Sequence, residues 1–185
     1  MNRLQKFIDN SYDQYYINKF IKYIPKYIIK SYIKNNPHKY YEIGFIYQFY
    51  YRNYELMKKY YNKAMDEGNS CAMTNLGFNY YIEHKLDLMK TYYLNAIALG
   101  DSGAMIKLGY YYQFIEKNYD LMKKYYGDAI TLGNLMAMNN LAVYYKNFKK
   151  NYYLMKKYYI MAIKLGNTFT VRNLKNYYKY KIKLF

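Results

Sequence analysis

The amino-acid sequence predicts an all-α fold, an α-solenoid built from short helix-pair repeats, and three observations support this prediction. One segment recurs four times at a nearly constant interval, and the apolar residues of each copy have helical spacing. A glycine followed by a helix-capping residue ends one helix in every copy. A repeat of this length is typical of stacked arrays in which each copy is one supersecondary unit.

The repeated segment reads NYELMKKYY at residues 53–61 and returns as LDLMKTYY at 86–93, NYDLMKKYY at 118–126 and NYYLMKKYY at 151–159. The intervals between its methionines are 32, 33 and 33 residues. These methionines are Met57, Met89, Met122 and Met155. We therefore expect about four units of 32–33 residues with terminal capping helices.

Each unit resolves into two helices, which we name the tyrosine helix and the Leu-Gly helix. In the tyrosine helix the apolar stripe has i, i+3, i+4 spacing. Its first copy consists of Leu56, Met57, Tyr60, Tyr61 and Ala64. The Leu-Gly helix places small residues beside a leucine and a tyrosine, an arrangement that suits close helix crossing. Its copies are Ala72, Leu76, Gly77 and Tyr80, then Ala104, Leu108, Gly109 and Tyr112, then Ala137, Leu141, Ala142 and Tyr145.

A glycine and a capping residue separate the two helices of every unit. Glycine adopts the left-handed conformation that closes a helix, and Asn or Asp caps the next helix start. The predicted pairs are Gly68-Asn69, Gly100-Asp101, Gly133-Asn134 and Gly166-Asn167.

The ends of the chain differ from the inner units, as the ends of a solenoid must. We expect one solenoid domain overall: N-terminal capping helices or a divergent half repeat over residues 1–37, four repeats over 38–168, and a capping helix over 169–185. Pro25 suits a first helical turn, and Ser11 with Gln14 fits a capping box. Lys175 stands where inner units have a small residue, which suits a helix facing water.

The motif Ala72-x-x-x-Leu76-Gly77-x-x-Tyr80, combined with the tyrosine helix and Gly68, resembles the Sel-one-like repeat (SLR) family of tetratricopeptide-like helical repeats. The resemblance covers roughly residues 38–184. It departs from the family pattern at Met57 and its equivalents, where the family has Ala, and at Tyr60, where it usually has Trp. The resemblance implies a right-handed superhelix that acts as an adaptor and holds a partner in a concave groove lined by the Leu-Gly helices.

Under this resemblance, the side chains of the Leu-Gly helices that are not used in packing are candidates for partner binding. We expect the groove to be aromatic at its N-terminal end and basic at its C-terminal end, with a protein or peptide as the partner. The candidate residues are Tyr41, Phe45, Phe78, Tyr81, Tyr110, Gln113, Lys146, Arg172 and Lys179.

The net charge of +17 is unevenly distributed and suggests an alternative function. Residues 53–117 are neutral, whereas residues 118–185 carry 13 basic and 2 acidic side chains. This C-terminal third could bind nucleic acid or an anionic membrane, since lysines and aromatic residues alternate there. A solvated lysine-rich surface is the competing interpretation, because only three of the 29 basic residues are Arg.

The sequence predicts no catalysis, no cofactor and no metal site. Gly100-Asp-Ser-Gly-Ala104 resembles the nucleophile segment of chymotrypsin-like proteases, but Ser102 falls in a helix–helix turn of the repeat. A triad also needs a positioned histidine, and neither His38 nor His84 has a motif around it. A single cysteine, Cys71, excludes an intrachain disulfide, and no apolar stretch is long enough for a membrane span. We therefore expect a cytoplasmic protein.

Overall fold

The structure is a computed structural model that describes residues 23–182, and the capping box predicted at Ser11 lies outside this range. The described residues contain ten α-helices and no strand, which confirms the all-α prediction. They divide into two compact units, unit 1 ending at Leu99 and unit 2 beginning at Gly100. The expected single solenoid domain stays a prediction.

The helices alternate between the two predicted types. Unit 1 contains α1 (Lys26–Asn35), α2 (Tyr40–Ile46, continued by a π-helical turn at Tyr47–Tyr51), α3 (Tyr54–Asp66), α4 (Ser70–Ile82) and α5 (Leu86–Ala98). Unit 2 contains α6 (Ser102–Phe114), α7 (Tyr119–Thr131), α8 (Leu135–Asn147), α9 (Tyr152–Lys164) and α10 (Thr168–Ile182). The tyrosine helices are α3, α5, α7 and α9, and the Leu-Gly helices are α2, α4, α6, α8 and α10.

The closest helix pairs join a Leu-Gly helix to the tyrosine helix after it. Each inner Leu-Gly helix packs most extensively against the tyrosine helix that follows it, as α6 does against α7 and α8 against α9. The contact that brings these two helices together is one between a glycine and a tyrosine ring.

In three of these pairs a tyrosine ring lies directly against a glycine of the preceding helix. A Cβ atom built on Gly109 would lie 2.6 Å from Cε1 of Tyr126, closer than real Cβ contacts allow. The same holds for Gly44 against Tyr61 and for Gly77 against Tyr93, at 2.6 and 2.7 Å. In the last pair Ala142 and Tyr159 share one buried cluster, so the fold accommodates a methyl group there.

The turns that join each tyrosine helix to the next Leu-Gly helix agree with the sequence prediction. The predicted glycines all have positive φ, for example 80° at Gly68. Each predicted capping side chain accepts a hydrogen bond from a backbone N–H of the next helix, as Asn69 does from Ala72 at 2.9 Å. In unit 2 the Asn134 cap also donates to Oγ of Ser102, which ties successive Leu-Gly helices together. The remaining caps are Asp101, Asn134 and Asn167.

The loops that join each Leu-Gly helix to the next tyrosine helix have a feature that was not predicted from the sequence. Each Leu-Gly helix from α2 to α8 is followed by a basic or histidine residue with φ between 51° and 57°. These residues are Arg52, His84, Lys117 and Lys150. The left-handed conformation costs a side-chain-bearing residue about 1–2 kcal/mol, although positive charge near a helix C-terminus returns part of that cost.

The glycine–tyrosine contact predicts opposite effects for two glycines of unit 2. Gly109→Ala should lower the free energy of unfolding by about 1–3 kcal/mol, because the new methyl overlaps the buried Tyr126 ring. Gly127→Ala is the matched control, since nothing lies within 4 Å of its Cβ position inside α7. It should raise stability by about 0.5–1 kcal/mol through helix propensity. Urea denaturation measures both, and equal effects would show that the contact is not tight.

The left-handed backbone at Lys117 and Lys150 predicts that glycine at either position gives a more stable protein. Lys117→Gly and Lys150→Gly should each raise the free energy of unfolding by about 0.5–1 kcal/mol, because glycine adopts positive φ without strain. Lys124→Gly, in the exposed part of α7, should lower it by about 1 kcal/mol. Thermal and urea unfolding test this. Destabilisation by all three changes would contradict the strain at the two loops.

Candidate functional site

The structure corrects the sequence-based projection for two of the nine candidate residues. Phe45 is 2% exposed and packs with Ile29, Tyr32 and Ile46 in the core of unit 1. Gln113 is 3% exposed, and its Oε1 accepts a hydrogen bond from the Tyr126 hydroxyl at 3.1 Å. Neither side chain is available to a partner.

Gln113 points inward because it accepts the hydrogen bond of the Tyr126 hydroxyl, whose ring packs against Gly109. The Tyr61 hydroxyl of unit 1 has the same arrangement: it donates to Oε1 of Gln48 at 2.7 Å and accepts from Nδ2 of Asn75 at 3.1 Å. Burial raises the pKa of Tyr61 well above its ordinary value, so the phenol stays neutral. A buried hydroxyl without a partner costs about 1–3 kcal/mol. The glutamines are therefore part of the helix packing.

The remaining candidates are distributed over both units. In unit 1, Tyr41 stacks on Tyr61 with ring centroids 5.9 Å apart, and Phe78 and Tyr81 are half-buried with centroids 6.4 Å apart. In unit 2, Tyr110 is exposed. Lys146 is half-buried, and Arg172 and Lys179 are exposed.

Tyr110 belongs to an exposed group of aromatic rings in unit 2, which we name the aromatic patch: Tyr110, Phe114 and Phe148. Their exposed fractions are 52%, 43% and 49%. Tyr110 lies 4.5 Å from Phe114, and Phe114 lies 6.2 Å from Phe148, measured between ring centroids. The patch thus joins the end of α6 to the end of α8.

Two further tyrosines form the base of the aromatic patch. Phe148 lies 5.8 Å from Tyr144 and 6.5 Å from Tyr119, between ring centroids. Tyr144 is 1% exposed, and its hydroxyl has no hydrogen-bond partner among residues 23–182. Burial raises the pKa of Tyr144, while the positive charge of Lys123 opposes this rise. The base of the patch therefore holds a buried, unsatisfied hydroxyl close to Lys123.

Positive charge surrounds the aromatic patch. Nζ of Lys149 lies 6.0 Å from the centre of the Tyr119 ring, and Lys117 and Lys150 occupy the two loops that follow α6 and α8. From residue 129 to residue 182 the chain contains ten Lys or Arg and no Asp or Glu. Two carboxylates also lie in this region: Glu116 accepts a hydrogen bond from the neutral Tyr111 hydroxyl at 2.9 Å, and Asp120 pairs with Lys123 at 2.8 Å.

Sequence reasoning missed Phe114 and Phe148. Phe114 was detectable, because it stands four residues after Tyr110 and so lies on the same helix face. Phe148 caps the C-terminus of α8, outside the helical projection, and only the folded arrangement brings it to Phe114.

The chemistry-bearing groups of the described residues do not converge on a reaction centre. Ser102 is the first residue of α6, and its Oγ accepts a hydrogen bond from Asn134. Within residues 23–182, no group of three His, Cys, Asp or Glu side chains could hold a metal ion. In the same described part of the chain, no helix has the length and apolarity that crossing a bilayer requires.

Unit 1 holds a charged cluster at the end of α4. Glu83 accepts from Nζ of Lys58 and from Nζ of Lys85, both at 2.8 Å, and from Nδ2 of Asn79 at 2.7 Å. These bonds, led by the one from Lys58, lower the pKa of Glu83 to about 2. The cluster links α3 to the loop after α4.

Solved structures that are similar to this chain include two repeat proteins. The structure of a Sel1 repeat protein from Oxalobacter formigenes matches with a TM-score of 0.59 and 25% sequence identity over 74% of this chain. A protective antigen with an SLR fold, present in uropathogenic Escherichia coli strains, matches with a TM-score of 0.60 and 16% identity, also over 74%. The chain spans 61% of the first protein and 32% of the second. The sequence matches no family profile and no curated protein sequence.

The Glu83 cluster predicts that stability falls in acid. The pKa of Glu83 is lowered from 4.5 to about 2 in the folded protein. Its contribution is therefore complete above pH 4.5 and is lost as the pH falls towards 2. Glu83→Gln should lower the free energy of unfolding at pH 7 by about 1–2 kcal/mol and leave it unchanged at pH 2. Denaturation at both pH values measures this, with the exposed Glu67→Gln as the control. An equal deficit at both pH values would contradict the ionic origin.

Proposed function

Because the chain is a Sel1-like helical-repeat protein, we propose that it is a non-catalytic scaffold for protein–protein interaction and that unit 2 binds a partner protein through the aromatic patch. The resemblance to SLR proteins implies a partner along the exposed side of the Leu-Gly helices. Two of the three patch residues, Tyr110 and Phe114, lie on that side of α6. We also propose a cytoplasmic location.

The observation that carries this proposal is the clustering of three exposed aromatic rings. Isolated exposed apolar side chains are common on soluble proteins, but contiguous ones mark interaction sites. Tyrosine and other aromatic side chains dominate binding energies because they bury a large area with few rotatable bonds. Phe114 and Phe148 come from different helices, so the patch exists only in the folded unit.

The other candidate residues that are exposed or half-buried are also proposed to contact a partner. Lys146, Arg172 and Lys179 of unit 2 would extend the contact with positive charge. Tyr41, Phe78 and Tyr81 would serve unit 1 in the same way, although Tyr41 is also part of the packing around Tyr61. The surroundings of Ser102 support a scaffold over an enzyme, since its hydroxyl is engaged by Asn134.

Site-specific photo-crosslinking tests the proposed function. A benzoylphenylalanine in place of Tyr110 or Phe114 should crosslink the full chain to one partner protein in cells. The matched control is the same probe at Tyr153, which is 77% exposed on α9 and should give no such product. With the purified partner, Tyr110→Ala plus Phe114→Ala should weaken binding at least about 30-fold, the effect of losing a buried aromatic contact, without lowering the melting temperature appreciably.

Three outcomes would contradict this function. Equal crosslinking from Tyr110 and Tyr153 would show that the patch is not a specific site. Crosslinks to nucleic acid alone, removed by nuclease treatment, would favour the alternative function of the basic third. A large fall in melting temperature for the Tyr110 and Phe114 double variant would assign these rings to packing.

A further inference from the structure

We propose that the partner segment bound at the aromatic patch is acidic: a polypeptide stretch that packs an aromatic or large aliphatic side chain against Phe114 and Phe148 and places carboxylates beside the surrounding lysines. This proposal rests on the proposed function and adds the chemistry of the partner.

The first argument is the charge that the patch presents. Residues 129–182 carry ten positive side chains and no negative one, so no carboxylate of α8, α9 or α10 offsets them. Lys149 and Lys150 form no ion pair with a carboxylate of the described residues, and Lys149 lies over the Tyr119 ring at the edge of the patch. Within a Debye length of about 8–10 Å, this excess attracts an acidic segment and repels a basic one.

The second argument is where two of these lysines lie. Lys117 follows Phe114 by three residues and Lys150 follows Phe148 by two, and both have the left-handed backbone that glycine would adopt without strain. The two loops therefore place a positive charge on either side of the patch, where an acidic partner segment would meet it.

The third argument is an exposed ion pair at the start of α7. Nζ of Lys123 binds Oδ1 of Asp120 at 2.8 Å, and the Asp120 side chain is 93% exposed, so this bond is easily exchanged. A carboxylate from the partner can therefore replace Asp120 on Lys123.

The ring geometry favours a polypeptide over nucleic acid. Stacking of successive bases needs exposed, flat ring faces, whereas the patch rings are inclined to one another, with Tyr110 at 43° to Phe114 and Phe114 at 68° to Phe148. Arginine forms the bidentate contacts that recognise phosphates and bases, and Arg172 is the single arginine between residues 100 and 185. The lysines can bind the carboxylates of a polypeptide, and the inclined rings can pack against one of its apolar side chains.

Selection from a random 12-residue peptide library displayed on phage, with the full chain as bait at physiological ionic strength, tests the proposal. The enriched peptides should combine several Asp or Glu with a Phe, Leu or Trp. Binding of a labelled enriched peptide is then measured by fluorescence anisotropy. Lys149→Glu plus Lys150→Glu should weaken it at least about 10-fold, and Phe114→Ala should weaken it similarly. Lys157→Glu plus Lys164→Glu, an equal change of charge at exposed positions of α9, should have less than about a twofold effect.

Several results would overturn the proposal. These are the absence of enriched peptides, enrichment without acidic residues, or equal loss in the two charge-reversed variants. Tighter binding of a 20-nucleotide single-stranded DNA, with the same dependence on Phe114, would assign the patch to nucleic acid. If photo-crosslinking captures a partner whose bound segment is neutral or basic, the scaffold function stands and the acidic partner does not.

Discussion

The contact between a buried tyrosine ring and the backbone of a glycine one helix earlier determines how the helices of each unit pack. Tyr61, Tyr93 and Tyr126 each occupy the space that a side chain at Gly44, Gly77 and Gly109 would need. Because the ring lies against bare backbone, a Leu-Gly helix and the following tyrosine helix form the closest pairs. The rings of Tyr61 and Tyr126 also carry their hydroxyls into the interior, where Gln48 and Gln113 accept their hydrogen bonds. Exposed side chains of the Leu-Gly helices, such as Tyr110 and Phe114, are ones that this packing does not use.

This constraint explains which features could be predicted from the sequence. The helices, the Gly-Asn turns and the caps depend on residues close together in the chain, so their periodicity and residue types predicted them correctly. The small residue of each Leu-Gly helix was predicted to suit a close helix crossing, but the ring that it meets was not predicted, because a Gly-Tyr contact between residues 17 apart, as in Gly109 and Tyr126, leaves no local pattern. Gln113 was misplaced for the same reason: a helical projection shows its direction but not the hydroxyl that it meets. Phe148 was not predicted as part of the aromatic patch, because it lies at the end of α8, where the helical periodicity stops.

The two kinds of loop hold the left-handed backbone with different residues. The Gly-Asn and Gly-Asp turns use glycine at positive φ, whereas the loops after the Leu-Gly helices use Arg52, His84, Lys117 and Lys150. Since this strain occurs in both units, it is a property of the repeat and not of the aromatic patch alone. The Gly-Tyr contact likewise recurs at Gly44, Gly77 and Gly109, and Ala142 takes the place of the glycine in α8.

A double-mutant cycle between Gly109 and Tyr126 tests the central constraint most directly. Urea denaturation of the wild type, Gly109→Ala, Tyr126→Leu and the double variant gives the coupling energy. If the ring occupies the glycine's space, Gly109→Ala should be costly beside Tyr126 and neutral or slightly stabilising beside the smaller leucine, with a coupling of at least about 1 kcal/mol. An equal cost for Gly109→Ala in both backgrounds would contradict the account.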